Sequence, residues 1–392
     1  MNVLMHCLYF PPEVGGLESH VYYVCRGLVG RGCRVSVVTS RSKRGLPAHE
    51  VMDGIDVWRT WLPMRSPLGW AVHGGASTPT LVGLARKADV VHAQAFQSVL
   101  PGVVAKQANR IPLVSTWHTS HFLKRAASPF WRPIFQRFLT WSDYNLAASI
   151  QIADVAEELA PGVSVEALTN GVETDIFHRC EPSLPAPNRR RIIVPRRLFE
   201  KNGVEFFLRA MPLIVERVDV EAVIVGDGPE REKLEALAAN LTLGERVVFL
   251  GARGHDEMPG LLSSAELAVF PSLMEATSVA ALESMACELP VAASDVGGLP
   301  EIVDGEVGGL FEAGNPTALA STVSSLLERD DLRALGTAAR ARVVERWSNA
   351  RLVDRHLEVY EGLLGRSRDE GRDQSPDQDR ERAPDPSEES SG

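Results

Sequence analysis

Cysteine is scarce in this chain: there are five in 392 residues, Cys7, Cys25, Cys33, Cys180 and Cys287, and no two form a C-x-x-C pair. That excludes a disulfide framework and the usual structural zinc patterns. An odd, widely spaced set of thiols fits a reducing compartment, so the expected location is cytoplasmic. Also missing is any apolar run near the ~20 residues that cross a bilayer. The amino terminus, MNVLMHCLYF, has no basic stretch ahead of its apolar residues and breaks at Pro11-Pro12. It reads as a first strand rather than a secretion signal, and any membrane contact is expected to be peripheral, at the inner face. Positive charge is in deficit, with 41 Lys and Arg against 51 Asp and Glu and a net charge of -10. A nucleic-acid partner held by a global positive field is therefore not expected. There is no H-x-x-x-H motif or aspartate cluster, so no metal is expected, and no cofactor.

What the chain does have is ordinary globular composition, 44% hydrophobic and 23% charged, over a length that calls for two cores rather than one. Short β-branched runs alternate with helical patterns, which is the signature of parallel α/β architecture. In the first half such runs occur at residues 3–8, 35–39, 55–58, 89–92, 113–116, 144–147 and 165–168; in the second, at 192–194, 222–225, 247–250, 267–270 and 290–293. Between them CEPSLPAPNRR, residues 180–190, brings three prolines and a basic cluster, as a linker would. The expected division is a Rossmann-like domain over 1–180, a second over 181–348, a helix over 349–364 and a disordered acidic tail over 365–392.

Parallel strands place their carboxyl ends along one edge, where ligands of such folds bind, so motifs just after strands carry the most information. One is FPSLMEATSVAALESMA, in which Glu275 falls at a turn and Glu283 eight positions later on a helix. The small residues Ala276, Thr277 and Ser278 leave room for a ligand to approach the helix's first N–H groups, Val279 included, a setting that suits phosphate. Taken alone, two glutamates on a surface helix are usually solvated decoration, and only their context points to a ligand. A second motif, VPRRLFEKNG, puts Arg196 and Lys201 five apart after a strand, with Arg197 able to share the first position. Fixed cations at such a turn can stabilise negative charge on a ligand; a plain basic loop is the competing reading. Gly15 and Gly16 lie between the first strand and first helix, as a loop that permits close backbone approach or a tight turn. His118 follows a strand in VSTWHTSHF, with His121 as its neighbour and competitor, while Glu18 and His20 read as structural or exposed. GDGP at 226–229 suits either a phosphate loop or a structural turn.

Together the E-x7-E spacing, the strand before it and the PVAASDVGGLPEIV after it resemble the donor-binding signature of glycosyltransferase family 4. The resemblance implies the GT-B fold, two facing Rossmann-like domains with a C-terminal helix packing back on the first. It also implies a retaining sugar transfer from a nucleotide-sugar, UDP- or GDP-linked, which is a substrate rather than a cofactor. On it, Glu275 contacts the transferred sugar's hydroxyls and Glu283 the nucleotide ribose; Arg196 and Lys201 match the family's Arg-x4-Lys element. Gly15 and Gly16 resemble its Gly-Gly loop, His118 its sugar-contacting histidine, and the main chain of Arg253, in FLGARGHDE, its base-holding segment. NGVETDIF at 170–177 resembles a structural element at the domain junction. This sequence departs from the family where Ala276, Thr277 and Ser278 stand for its usual Gly-Phe-Gly or Gly-Leu-Pro, and where Pro195 replaces a glycine.

The acceptor is unidentified. Residues 122–141 interleave Lys124, Arg125, Arg132 and Arg137 with six aromatic residues and no acid, which suits an anionic membrane surface and a lipid-linked acceptor, or a helix packing its rings into the core. A noncatalytic nucleotide-sugar-binding protein of the same fold is the alternative function. A Rossmann oxidoreductase is disfavoured, because the first strand leads to PPEVGGLE rather than G-x-G-x-x-G.

Overall fold

The computed structural model describes residues 1–373 except 14, 119, 170, 187, 276 and 277. Eight strands form the first sheet: β1 (Asn2–His6), β2 (Arg34–Ser40), β3 (His49–Met52), β4 (Ile55–Thr60), β5 (Val90–Gln94), β6 (Leu113–Trp117), β7 (Tyr144–Ala147) and β8 (Val165–Ala167). Their order is β3-β4-β2-β1-β5-β6-β7-β8, parallel throughout except for the antiparallel edge pair β3–β4. Six form the second: β9 (Arg190–Pro195), β10 (Val220–Val225), β11 (Val247–Gly251), β12 (Leu267–Phe270), β13 (Val291–Ser294) and β14 (Gly308–Phe311), ordered β11-β10-β9-β12-β13-β14 and all parallel. Each sheet carries a separate apolar cluster on either face, so the inner strands are buried on both sides and lack polar alternation.

The two strands absent from the sequence reading have different explanations. β3 is a short half-exposed edge strand, announced only by Asp53-Gly54, both at positive φ as a two-residue hairpin turn requires. β14 opens on Gly308-Gly309, a weak strand sequence, tolerated because a Cβ at Gly308 would come within 1.9 Å of the Val291 carbonyl oxygen.

The chain passes between the sheets twice, after β8 and near Ser348, and Val172 bridges to Ser348 where the passages meet. Val172 and Phe177, which precede the proline-rich segment, already pack in the core of the second unit. The final helix, Asn349–Asp373, returns to the first: Leu352, Val353, Val359, Tyr360 and Leu363 join the cluster around β1, β2 and the helix Gly16–Gly30. Residues 365–373 continue this helix, correcting the expectation of disorder from residue 365. A helix already nucleated and docked extends at little cost per residue. Residues 374–392 lie outside those described.

Of the basic, aromatic stretch 122–141, Phe122 and Phe135 are fully buried in the first core. Arg125 lies over the rings of Phe96 and Trp131, and Arg132 pairs with Glu158 at 3.1 Å. Phe130 and Trp141 stay exposed, together with Lys124 and Arg137. No described helix is long and apolar enough to cross a membrane.

Candidate functional site

A cleft of about 490 Å³ lies between the two units, and strand ends from both sheets supply its walls. From the first come Gly15, Gly16, His20, Tyr23 and His118; from the second, Arg196, Lys201, Glu275, Ser278, Val279 and Glu283. The structure thus brings most of the residues singled out in the sequence into one cavity. Ala276 and Thr277 lie outside the described residues, as does the His121 side chain. Arg253 is not among the lining residues: its side chain is exposed and lies 3.6 Å from Glu257, while His255, two positions on, faces the cleft instead.

Arg196 follows directly from β9, and its guanidinium is the hub of the second wall. It donates to Glu275 Oε2 at 2.5 Å, Asn202 Oδ1 at 2.8 Å, Ser272 Oγ at 2.9 Å and Ser278 Oγ at 3.4 Å. The Arg196 and Glu275 side chains are only 10% and 14% exposed, so each charge depends on the other for its solvation. Ser278 also caps the helix Val279–Ala286, whose first turn opens to the cleft. The Lys201 carbonyl accepts from the Leu273 N–H at 2.8 Å, tying the Lys201 turn to the loop that carries Glu275. Among the described residues no carboxylate pairs with Lys201, whose side chain is exposed at the cleft. The two cations therefore differ: one is committed to a carboxylate and one is unneutralised.

Two glycines set this loop geometry. Gly226, in GDGP, has φ +149 and a Cβ there would lie 2.1 Å from the Arg196 carbonyl oxygen. Gly297 has φ +56 and a Cβ would lie 1.7 Å from the Glu275 carbonyl oxygen. GDGP is thus a support behind the Arg196 turn and does not line the cleft.

On the opposite wall His118 is 3% exposed and its Nε2 bonds Gln94 Oε1 at 2.8 Å. An amide oxygen accepts, so Nε2 carries the proton. Burial, reinforced by nearby His356, lowers the His118 pKa to about 3, and the ring is neutral at ordinary pH. His20 is buried too, at 5% exposure, with its ring 5.2 Å from that of His118; it is a wall residue, not an exposed one. His255 was missed by sequence reasoning. Its Nε2 lies 2.9 Å from Glu283 Oε1 and its Nδ1 3.4 Å from the Tyr23 hydroxyl. The only local signal was a titratable ring inside FLGARGHDE, just after β11. Among the described residues no group of three or more His, Cys, Asp or Glu is placed to hold a metal ion.

Residues 14–176 match the model of Glycosyltransferase Family 4 and residues 189–329 that of Glycosyl transferases group 1. The chain is 30% identical over 399 residues to a D-inositol 3-phosphate glycosyltransferase of Acidothermus cellulolyticus, covering 91% of this chain and 86% of that one. It belongs to glycosyltransferase family 4. The transferase is also 29% identical to a phosphatidyl-myo-inositol mannosyltransferase of Mycobacterium leprae, with 92% of this chain and 96% of that one covered. Its fold is GT-B: a sucrose-phosphate synthase from Thermosynechococcus elongatus superposes with a TM-score of 0.82 at 21% identity, over 93% of the transferase and 99% of that chain.

Proposed function

We propose that this glycosyltransferase moves a hexose from a UDP- or GDP-linked donor to an acceptor hydroxyl with retention at the anomeric carbon. The observation that carries the reading is Lys201, a cation with no carboxylate partner among the described residues, in a cleft it shares with Arg196, Arg197, Glu275, Glu283 and a helix amino terminus. As the bond from the anomeric carbon to the phosphate oxygen breaks, the diphosphate leaves with the electron pair, and a fixed ammonium stabilises that charge more than it does the bound donor. The new C–O bond forms on the same face, and the acceptor's proton passes to the departing phosphate. A neutral His118 with its Nε2 proton already engaged suits a contact to sugar hydroxyls rather than proton transfer. Glu275, held by Arg196, suits paired hydroxyls on the transferred sugar, and Glu283 those of the ribose.

A panel of UDP- and GDP-sugars with candidate acceptors tests this. One donor is expected to release nucleotide, with turnover falling about a hundredfold in both Glu275→Ala and Lys201→Ala. Tight nucleotide binding without turnover on any acceptor would instead favour a noncatalytic binding protein.

The relatives' names include both a phosphatidyl-myo-inositol and a D-inositol 3-phosphate acceptor, so they leave the acceptor class open. Exposure of Phe130, at 69%, and Trp141, at 38%, beside Lys124 and Arg137 favours a lipid-linked acceptor met at a membrane surface. The protein is then expected to bind anionic vesicles but not zwitterionic ones at low salt. Phe130→Asp with Trp141→Asp should weaken that partitioning about tenfold, from lost apolar insertion and added negative charge. No binding by the unmodified protein rejects the membrane reading.

A further inference from the structure

His255 lies on the loop after β11, within a segment singled out for its main chain rather than for this side chain, yet it is the ring that joins the two walls. Its Nε2 bonds Glu283 Oε1 at 2.9 Å on its own unit, and its Nδ1 lies 3.4 Å from the hydroxyl of Tyr23 on the first helix of the other. Phe177, fully buried, packs edge-on against the imidazole with centroids 4.8 Å apart and limits its rotation. The Glu283 side chain is 12% exposed, so this hydrogen bond fixes which way a largely enclosed carboxylate points. Each carboxylate oxygen has two lone pairs, so Glu283 keeps capacity for a diol while His255 is bound.

We propose that His255 is a positioning residue for the nucleotide half of the donor: it aims Glu283 at the ribose and, through Tyr23, makes nucleotide affinity depend on the approach of the two domains. This rests on the role given to Glu283 above.

The contact has a sign with respect to pH. The groups facing His255 are Glu283 on its helix, Asp256 alongside and Glu173 from the crossover segment, all acidic, with Tyr23 across the cleft and Arg26 the cation acting on that tyrosine. The hydrogen bond to Glu283 raises the His255 pKa above its ordinary value, against the opposing effect of burial. The charged, fully bonded form is therefore complete below the ordinary histidine range and is lost as pH rises through the raised value.

The test is calorimetric titration of the full chain with UDP and with GDP from about pH 5.5 to about pH 9, following the tighter of the two. At the acid end His255→Gln should bind about five- to tenfold more weakly than the unmodified protein, and the ratio should shrink toward one as pH rises. The nucleotide's own phosphate titration is common to both proteins and cancels in that ratio. Tyr23→Phe should cost about twofold in the unmodified background and nothing in His255→Gln, because the two act through one contact. A pH-independent ratio of one for His255→Gln, with Glu283→Gln clearly weakened, overturns the inference and leaves the role of Glu283 standing. Unchanged binding by Glu283→Gln, or no binding of either nucleotide, overturns that role and the inference with it.

Discussion

Arg196→Ala should lower kcat/KM by about a thousandfold, more than the loss of any other single cation in the cleft, and Arg196→Lys should recover little of it. The reason is that Arg196 does two things at once. It contributes positive charge, and it holds Glu275, Ser272, Asn202 and Ser278 in one arrangement through a single guanidinium. Lysine restores the charge but cannot span four acceptors with a planar fork. Alanine also leaves the Glu275 carboxylate, 14% exposed, without its cation, at a cost of roughly 3 kcal/mol of stability. Steady-state kinetics with thermal melts separates these effects. Lys201→Ala should leave the melting temperature unchanged, since its side chain is exposed with no carboxylate partner among the described residues, while Arg196→Ala should lower it. Equal melting temperatures in the two variants would show that Arg196 is not the structural hub described here.

Gly297→Ala should cost about 3 kcal/mol and lower kcat about a hundredfold, although Gly297 is not itself a lining residue. A methyl group there meets the Glu275 carbonyl oxygen at 1.7 Å, and the φ of +56 already disfavours a side chain. The Glu275 loop must move, and a displacement of about 1 Å at a substrate-positioning group suffices for a loss of that size. Gly305→Ala is the control: a Cβ there meets nothing within 4 Å, so stability and turnover should hold within about 0.5 kcal/mol. Chemical denaturation and kinetics on both variants make the comparison. A Gly297→Ala protein that melts like Gly305→Ala and turns over normally would mean the loop is not braced by this contact.

Several of the residues that sequence reading recovered sit within a few positions of a strand end, where chain direction dictates the edge they occupy. Arg196 follows β9, Glu275 follows β12 and His118 follows β6, so local pattern was enough to gather them. His255 and Tyr23 are 232 positions apart, and nothing in either neighbourhood announces the other. Likewise the aromatic residues of 122–141 looked alike in sequence; only tertiary packing separates the buried Phe122 and Phe135 from the exposed Phe130 and Trp141. Arg253 entered through the family resemblance and for its main chain alone; its side chain faces solvent, and the ring the same loop turns to the cleft is His255. The final helix was placed by its apolar residues, and its continuation past residue 364 was not, because the added turns follow from helix cooperativity rather than side-chain pattern.

The return of that helix has a consequence for how the chain is made. Tyr360 is fully buried and its hydroxyl bonds His92 Nδ1 at 2.6 Å, and Val353 approaches Gly27 so closely that a Cβ there would lie 2.4 Å from a Val353 methyl. One face of the first sheet is therefore finished by a helix that is translated only after the whole second unit. During synthesis the amino-terminal half waits with an open apolar face while the whole second half emerges and folds. It is the unit exposed to misassociation in that interval, and the carboxyl-terminal segment acts as the seal that ends it.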